Sequence, residues 1–178
     1  MASTNDGAEI ALALMVANNA AMKCGFPALA LACLHGHTET AQVLLAMGAE
    51  KEAKNNNGRT ALILASINGH TETAQALLAA GAEMETMCGM NCTALIYAIL
   101  YGHTELAKML IEAGANIDHR GYRGDTPLIC ASIEGLVEVA QMLLRWDADK
   151  DAENEYGKTA LSLAIRYGNT EVEAMLTA

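Results

Sequence analysis

"TALILASINGHTETAQALLAAGAE" occupies residues 60–83, and the chain writes it more than once. The stretch 33 residues earlier, "PALALACLHGHTETAQVLLAMGAE" (27–50), agrees with it at 17 of 24 positions. The stretch 33 residues later, "TALIYAILYGHTELAKMLIEAGAN" (93–116), agrees at 14. Such agreement at a fixed period marks an array of repeats. Three rows fix the register: Gly25, Gly58, Asn91, Gly124 and Gly157; Gly36, Gly69, Gly102, Gly135 and Gly168; Leu44, Leu77, Leu110 and Leu143.

Within one unit the apolar periodicity is helical. Thr60 can cap a first helix whose Leu62, Ile63, Ala65 and Ser66 face inward. "NGH" at 68–70 makes a tight turn. Thr71 is then expected to cap a second helix, with Ala74, Leu77 and Leu78 on one stripe. Gly81 stands where that helix should stop, because a left-handed residue is needed there. Two helices of this size cannot bury both faces alone; stacked on a neighbouring pair, they can.

Composition sets the outer limits. The chain has 178 residues, 52% of them hydrophobic, and a net charge of −10. That apolar content excludes a disordered chain. The acidic balance argues against a nucleic-acid binder, which shows a basic stripe. "AEIALALMVANNAAM" (8–22) is too short for a membrane span and has no basic leader, so it is expected to be a helix and not a signal peptide. Five cysteines in no disulfide-dense pattern suggest reduced thiols and an intracellular location, cytoplasmic or nuclear.

The 33-residue period, "GDTPLICAS" (124–132), the "GHTE" turn and the "LLxxGA" ending resemble ankyrin repeats over nearly the whole chain. The resemblance implies an all-α solenoid of stacked helix–turn–helix units joined by hairpin-like loops, with a concave face. Full units are expected at 25–57, 58–90, 91–123 and 124–156. A truncated unit covers 157–178, and a partial one covers 1–24, with Ala8, Ile10, Leu12 and Leu14 on its helix. There are departures. The histidine of the family's TPLH motif is replaced by Ala30, Ile63, Ile96, Ile129 and Ser162, which removes a side chain that bonds across repeats. Pro27 replaces the capping threonine, and Asp147 replaces a helix-stopping glycine.

Recurring residues build the stack, so function is sought where the units differ. In this family the exposed positions are the hairpin tips and the ends of the first helices. Here they include Phe26; Arg59; Met90, Cys92, Leu100 and Tyr101; Tyr122 and Arg123; and Glu155, Tyr156, Lys158, Arg166 and Tyr167. Five of the seven aromatic residues and three of the five arginines fall on this set. Trp146 lies at the end of a second helix, beside the next loop. Tyrosine, tryptophan and arginine dominate interface energetics, because each buries a large area and carries a directed polar group. Tyr97 falls at a structural position. The protein-binding candidates are therefore Phe26, Arg59, Met90, Tyr101, Tyr122, Arg123, Trp146, Tyr156, Lys158, Arg166 and Tyr167.

Chemical sites are not expected. His37, His70 and His103 recur at the period and form a ladder, whereas metal ligands must converge on one point; they are expected to be structural turn residues. Cys88 and Cys92 share a loop but lack a second ligand pair. Cys33 and Cys130 are small core residues on first helices, while Cys24 and Cys92, at hairpin tips, are candidates for reactive thiols. "DADKDAENEYGK" (147–158) imitates a calcium loop but has Ala152 at the sixth place and Lys158 at the twelfth, where glycine and glutamate belong. No phosphate loop or nucleophile elbow appears.

The expected function is a non-enzymatic protein-interaction module, monomeric alone. It would take a protein or peptide partner with acidic and apolar groups and need no cofactor. Two rivals stand beside it: a regulatory or targeting part of a larger enzyme, and an engineered scaffold without a natural partner.

Overall fold

The computed structural model describes residues 27–177. The expected helix at 8–22, together with Cys24 and Phe26, lies outside them. Ten helices follow in pairs: α1 (Ala28–Leu34) and α2 (Thr38–Ala46), α3 (Ala61–Asn68) and α4 (Thr71–Ala79), α5 (Ala94–Leu100) and α6 (Thr104–Glu112), α7 (Pro127–Glu134) and α8 (Val137–Arg145), α9 (Ala160–Tyr167) and α10 (Thr170–Thr177). A short 3-10 turn, Tyr122–Gly124, interrupts one loop. The described residues form no strand.

Each helix packs on its counterpart in the next pair, α1 on α3, α3 on α5, α5 on α7 and α7 on α9. The even-numbered helices stack likewise, which gives two layers. The result is the all-α solenoid of stacked helix–turn–helix units expected for ankyrin repeats. α3, α5 and α7 are sandwiched between neighbours and are buried on almost every side, while α9, the last in the stack, leaves Ile165, Arg166 and Tyr167 exposed. Ala61 to Ser66 and Ala94 to Ile99 are buried without a break. The even-numbered helices bury one stripe only, as Leu106, Ala107, Leu110 and Ile111 do on α6.

Local chemistry sets the boundaries. Thr60, Thr126 and Thr159 cap α3, α7 and α9, each hydroxyl oxygen accepting from the backbone N–H three residues on. Buried Ser66 and Ser132 are satisfied within their helices, donating to the carbonyls of Leu62 and Leu128. Pro27 precedes α1 with no side-chain cap. Gly81 is left-handed at φ 80°, and Asp147 adopts φ 60° at the equivalent stop after α8.

The expectation for Thr71 fails. His70, not Thr71, flanks α4, and it makes no side-chain cap; Thr71 is already the first helical residue. The neighbouring Thr73 is buried, and its hydroxyl shares a 2.8 Å hydrogen bond with Thr38 of the preceding pair. Threonines of this segment thus tie helix pairs together.

Two of the turn histidines bond across repeats. His70 Nε2 donates to the Leu34 carbonyl at 3.1 Å, and His103 Nε2 to the Ile67 carbonyl at 3.0 Å. Asn169 continues the row with Nδ2 bonds of 2.7 and 2.9 Å to the carbonyls of Ser132 and Ile133. A second ladder runs through the loops, where acidic side chains accept the backbone N–H of the next repeat. Glu52 accepts from Glu83, Glu85 from Asn116 and Asp118 from Asp149, at 2.9, 2.8 and 3.0 Å. Asp149 in turn accepts from Asp151 N–H. Within the calcium-like stretch Asp149 thus serves the turn of its own loop, while Asp118 of the preceding loop holds it in register.

Candidate functional site

The loops before α3, α5, α7 and α9 are tight turns closed by backbone bonds. In the loop before α7, Gly121 N–H donates to the Asp125 carbonyl and Gly124 N–H to the Gly121 carbonyl, both at 3.0 Å. Arg123 sits in this turn at φ 64°, a left-handed conformation that costs a non-glycine residue about 1–2 kcal/mol. Glu155 N–H donates to the Arg123 carbonyl at 2.9 Å, which ties the tip to its neighbour in the next repeat. Beneath it, Asn154 Nδ2 donates to Asp125 Oδ1 at 2.7 Å. Burial raises the Asp125 pKa, and the Asn154 bond and the Arg123 charge oppose that rise.

This backbone presents a compact cluster. The Arg123 guanidinium lies 5.0 Å from the ring centre of Tyr122 and 5.9 Å from that of Tyr156. Both distances fall within the range of cation–π attraction. Both rings are more than half exposed, Tyr156 at 63%. Together with Gly89, Met90, Asn91, Gly121 and Glu155 they line a groove of about 440 Å³ across three successive loop tips. Of the sequence candidates, Met90, Tyr122, Arg123 and Tyr156 thus come together.

A second group lies one repeat back. Tyr101, exposed at the end of α5, stacks on Tyr97 with ring centres 6.4 Å apart and planes 29° from parallel. The Arg59 guanidinium is 5.8 Å from the centre of Tyr97. Tyr97 is only 1% exposed, as its structural position implied, and its hydroxyl shares a 2.8 Å hydrogen bond with Cys88 Sγ. Burial, reinforced by that bond, pushes the phenol pKa well up. The sequence did not reveal Tyr97 as the platform between Arg59 and Tyr101. The i, i+4 spacing on α5 is the signal that could have placed Tyr101 beside it, whereas nothing in the repeat period places Arg59 there.

The remaining candidates do not join these clusters. Arg166 and Tyr167 are exposed at the end of α9. Lys158 is exposed in the preceding loop, its backbone N–H held by Asn154 Oδ1 at 3.0 Å. Trp146, 49% exposed, belongs to the other layer. There it lines a groove of about 610 Å³ with residues of α6 and α8, including Met109, Glu112, Met142 and Arg145. In the same groove Lys108 bridges Glu105 and Glu138 at 3.1 and 2.7 Å. Phe26 lies outside the described residues.

Cys92 does not stand exposed at the tip, as its register position suggested. It is fully buried, and burial raises its pKa. Its sulfur packs where Gly121 of the next loop has no side chain; a Cβ there would lie 3.3 Å from it and 2.8 Å from Ile96 Cδ1. Cys33 and Cys130 are core residues as expected, and burial lifts the Cys33 thiol to about 12. Among the described residues no group of three histidine, cysteine or acidic side chains could hold a metal, and no helix is long and apolar enough to cross a membrane.

The geometry agrees with a comparison of the whole chain. The family model for ankyrin repeats, which spans three copies, matches residues 1–88, 81–154 and 122–178. No curated protein matches the chain closely enough to count as a relative. With the family model covering its entire length, and with stacked helix pairs at the repeat's period, the chain belongs to the ankyrin-repeat family.

Proposed function

We propose that this protein is a non-enzymatic display scaffold, which binds a partner protein or peptide on its concave face through the hairpin tips and the ends of the first helices. Ankyrin repeats are in general protein–protein interaction modules. One observation carries the finer reading: Tyr122, Arg123 and Tyr156 form an exposed ring–guanidinium cluster above a groove that spans three loop tips. Residues of these types supply most of the binding energy at protein interfaces. The tips are held by backbone bonds within and between loops, so little ordering entropy is lost when they engage.

In this reading the units run 25–57, 58–90, 91–123, 124–156 and 157–178. Tyr101 on its Tyr97 platform, with Arg59 beside it, extends the surface on one side. Lys158, Arg166 and Tyr167 extend it on the other. The cations Arg123, Lys158 and Arg166 suit acidic groups on the partner, and the rings and Met90 suit apolar ones. The scaffold acts as a monomer, without nucleic acid or cofactor.

The test begins with affinity capture from the source cell and identification of the bound protein. Its binding to the purified chain is then compared with binding to a Tyr122→Ala, Tyr156→Ala, Tyr167→Ala variant. The reading predicts at least a tenfold loss of affinity, and equal binding by the two would remove it.

A further inference from the structure

We propose that Cys88 and Cys92 form a dithiol modification site, which closes into an intrachain disulfide on exchange with a small disulfide oxidant such as oxidised glutathione. Nothing in the binding reading calls for these two thiols.

The backbone brings them together. Asn91 N–H donates to the Cys88 carbonyl at 2.9 Å, and Cys88 N–H donates to the Cys92 carbonyl at 3.4 Å. Asn91 is left-handed at φ 56°. This is a three-residue hairpin loop, a tight turn followed by one left-handed residue, with Cys88 and Cys92 as its closing pair. A backbone hydrogen bond made directly between the two residues holds their Cα atoms roughly 5–6 Å apart, inside the range a disulfide spans. The Cys88 side chain reaches Tyr97, and Cys92 Sγ donates to the Met90 carbonyl at 3.3 Å within the same loop. Cys88 Sγ is 2.8 Å from the Tyr97 hydroxyl, and Cys92 adds its own electrostatic influence on the phenol.

The other hairpins show what this pair replaces. In the loop before α3, Asn55 Oδ1 accepts from the N–H groups of Asn57 and Arg59 at 2.9 and 3.0 Å. In the loop before α9, Asn154 Oδ1 accepts from Tyr156 and Lys158, both at 3.0 Å. Each asparagine clamps its own turn, and each closing bond is 3.0 Å. At the same register Cys88 and Gly121 have no amide to offer; the Gly121 hairpin still closes at 3.0 Å, whereas the Cys88 hairpin closes at 3.4 Å. The one hairpin that carries two thiols is one that lacks the clamp, and a sulfur–sulfur bond would supply it.

The step balances as thiol–disulfide exchange. The half-buried Cys88, as thiolate, attacks one sulfur of oxidised glutathione. A Cys88–glutathione bond forms and one glutathione thiolate leaves. Cys92, as thiolate, then attacks the Cys88 sulfur and displaces the second glutathione thiolate. The protein pair gives up two electrons, and the two thiol protons end on two reduced glutathiones. Because burial raises the Cys92 pKa, the second displacement is the slower step, and the mixed disulfide precedes the ring. Closure ties down Gly89, Met90 and Asn91, three residues that line the tip groove. That consequence alone rests on the proposed function.

Trypsin provides the readout, because the peptide Thr60–Lys108 contains these two cysteines and no other. The full folded chain is incubated with oxidised glutathione, quenched with an alkylating agent, digested and weighed. The expected product is this peptide lighter by two hydrogens and alkylated at neither cysteine. Cys92→Ser is expected to stop with one glutathione on Cys88. Cys88→Ser is expected to leave Cys92 unmodified by glutathione while the protein stays folded. Two freely alkylated cysteines after oxidation, a bond between chains, or a ring that forms only in urea would each overturn the proposal. The measurement needs no partner, so its outcome is separate from that of the binding test.

Discussion

The imidazole of His103 lies across Gly69: a Cβ on Gly69 would meet His103 Nδ1 at 2.5 Å, while Nε2 of the same ring donates to the Ile67 carbonyl at 3.0 Å. Gly36 stands in the same relation to His70, and Gly135 to Asn169. Each of these glycines answers two demands, a positive φ and space for a side chain from the next repeat. Gly102 meets only the first. Leu136 stands where the histidine would be, and nothing lies within 4 Å of a Cβ at Gly102.

Gly69→Ala should therefore destabilise the protein more than Gly102→Ala. The second change carries only the left-handed penalty of about 1–2 kcal/mol. The first adds displacement of a ring that is pinned by its hydrogen bond. Urea denaturation of both single variants, and of Gly69→Ala with His103→Ala, checks this. The double variant should show less than additive loss, because the clash goes with the ring.

Capping threonines should not be equivalent. Thr60→Ala removes the hydroxyl that accepts from Ile63 N–H and should lower stability by about 1 kcal/mol. Thr93 stands at the same place before α5, but its hydroxyl oxygen is buried without a hydrogen-bond partner. Thr93→Ala should be near neutral, because no bond is lost and a desolvated polar atom is removed. Thermal melts of the two variants decide the matter.

Asp147→Gly should raise stability by about 0.5–1 kcal/mol, because the residue sits at φ 60° where α2, α4 and α6 stop on glycine. A rise in the urea midpoint with unchanged slope is the expected result.

Cys33 gives a pH dependence with a definite sign. Its folded pKa is raised to about 12 by burial, above the ordinary 9.0. The folded state therefore holds its proton more tightly than the unfolded state does. The stability linked to this is fully present below about pH 9 and is lost as pH rises toward 12. Cys33→Ala should flatten that part of the stability curve, measured by denaturant titration between pH 8 and pH 11.

The sequence made the architecture legible because a stack repeats its contacts at one period. Glycine and leucine rows at a spacing of 33 therefore reported the helix pairs directly. Side-chain direction was less legible. Cys92 occupies a tip position by register, yet it turns inward because Gly121 of the next loop leaves it room. Thr71 has a good capping side chain, but the helix starts at it and not after it. Trp146 lies near the next loop in sequence, while its helix belongs to the second layer, which carries it to a different groove. The Arg123–Tyr156 contact depends on how far two side chains reach between neighbouring loops, and a period does not encode that.

In the proposed binding mode the tip cluster, and not the groove of the second layer, makes the partner contact. The most direct measurement is titration calorimetry of the captured partner against Arg123→Ala and Trp146→Ala, with folding of both variants verified by circular dichroism. A loss of tenfold or more for Arg123→Ala with little change for Trp146→Ala is the predicted result. Unchanged binding by Arg123→Ala, with binding lost in Trp146→Ala, would contradict it.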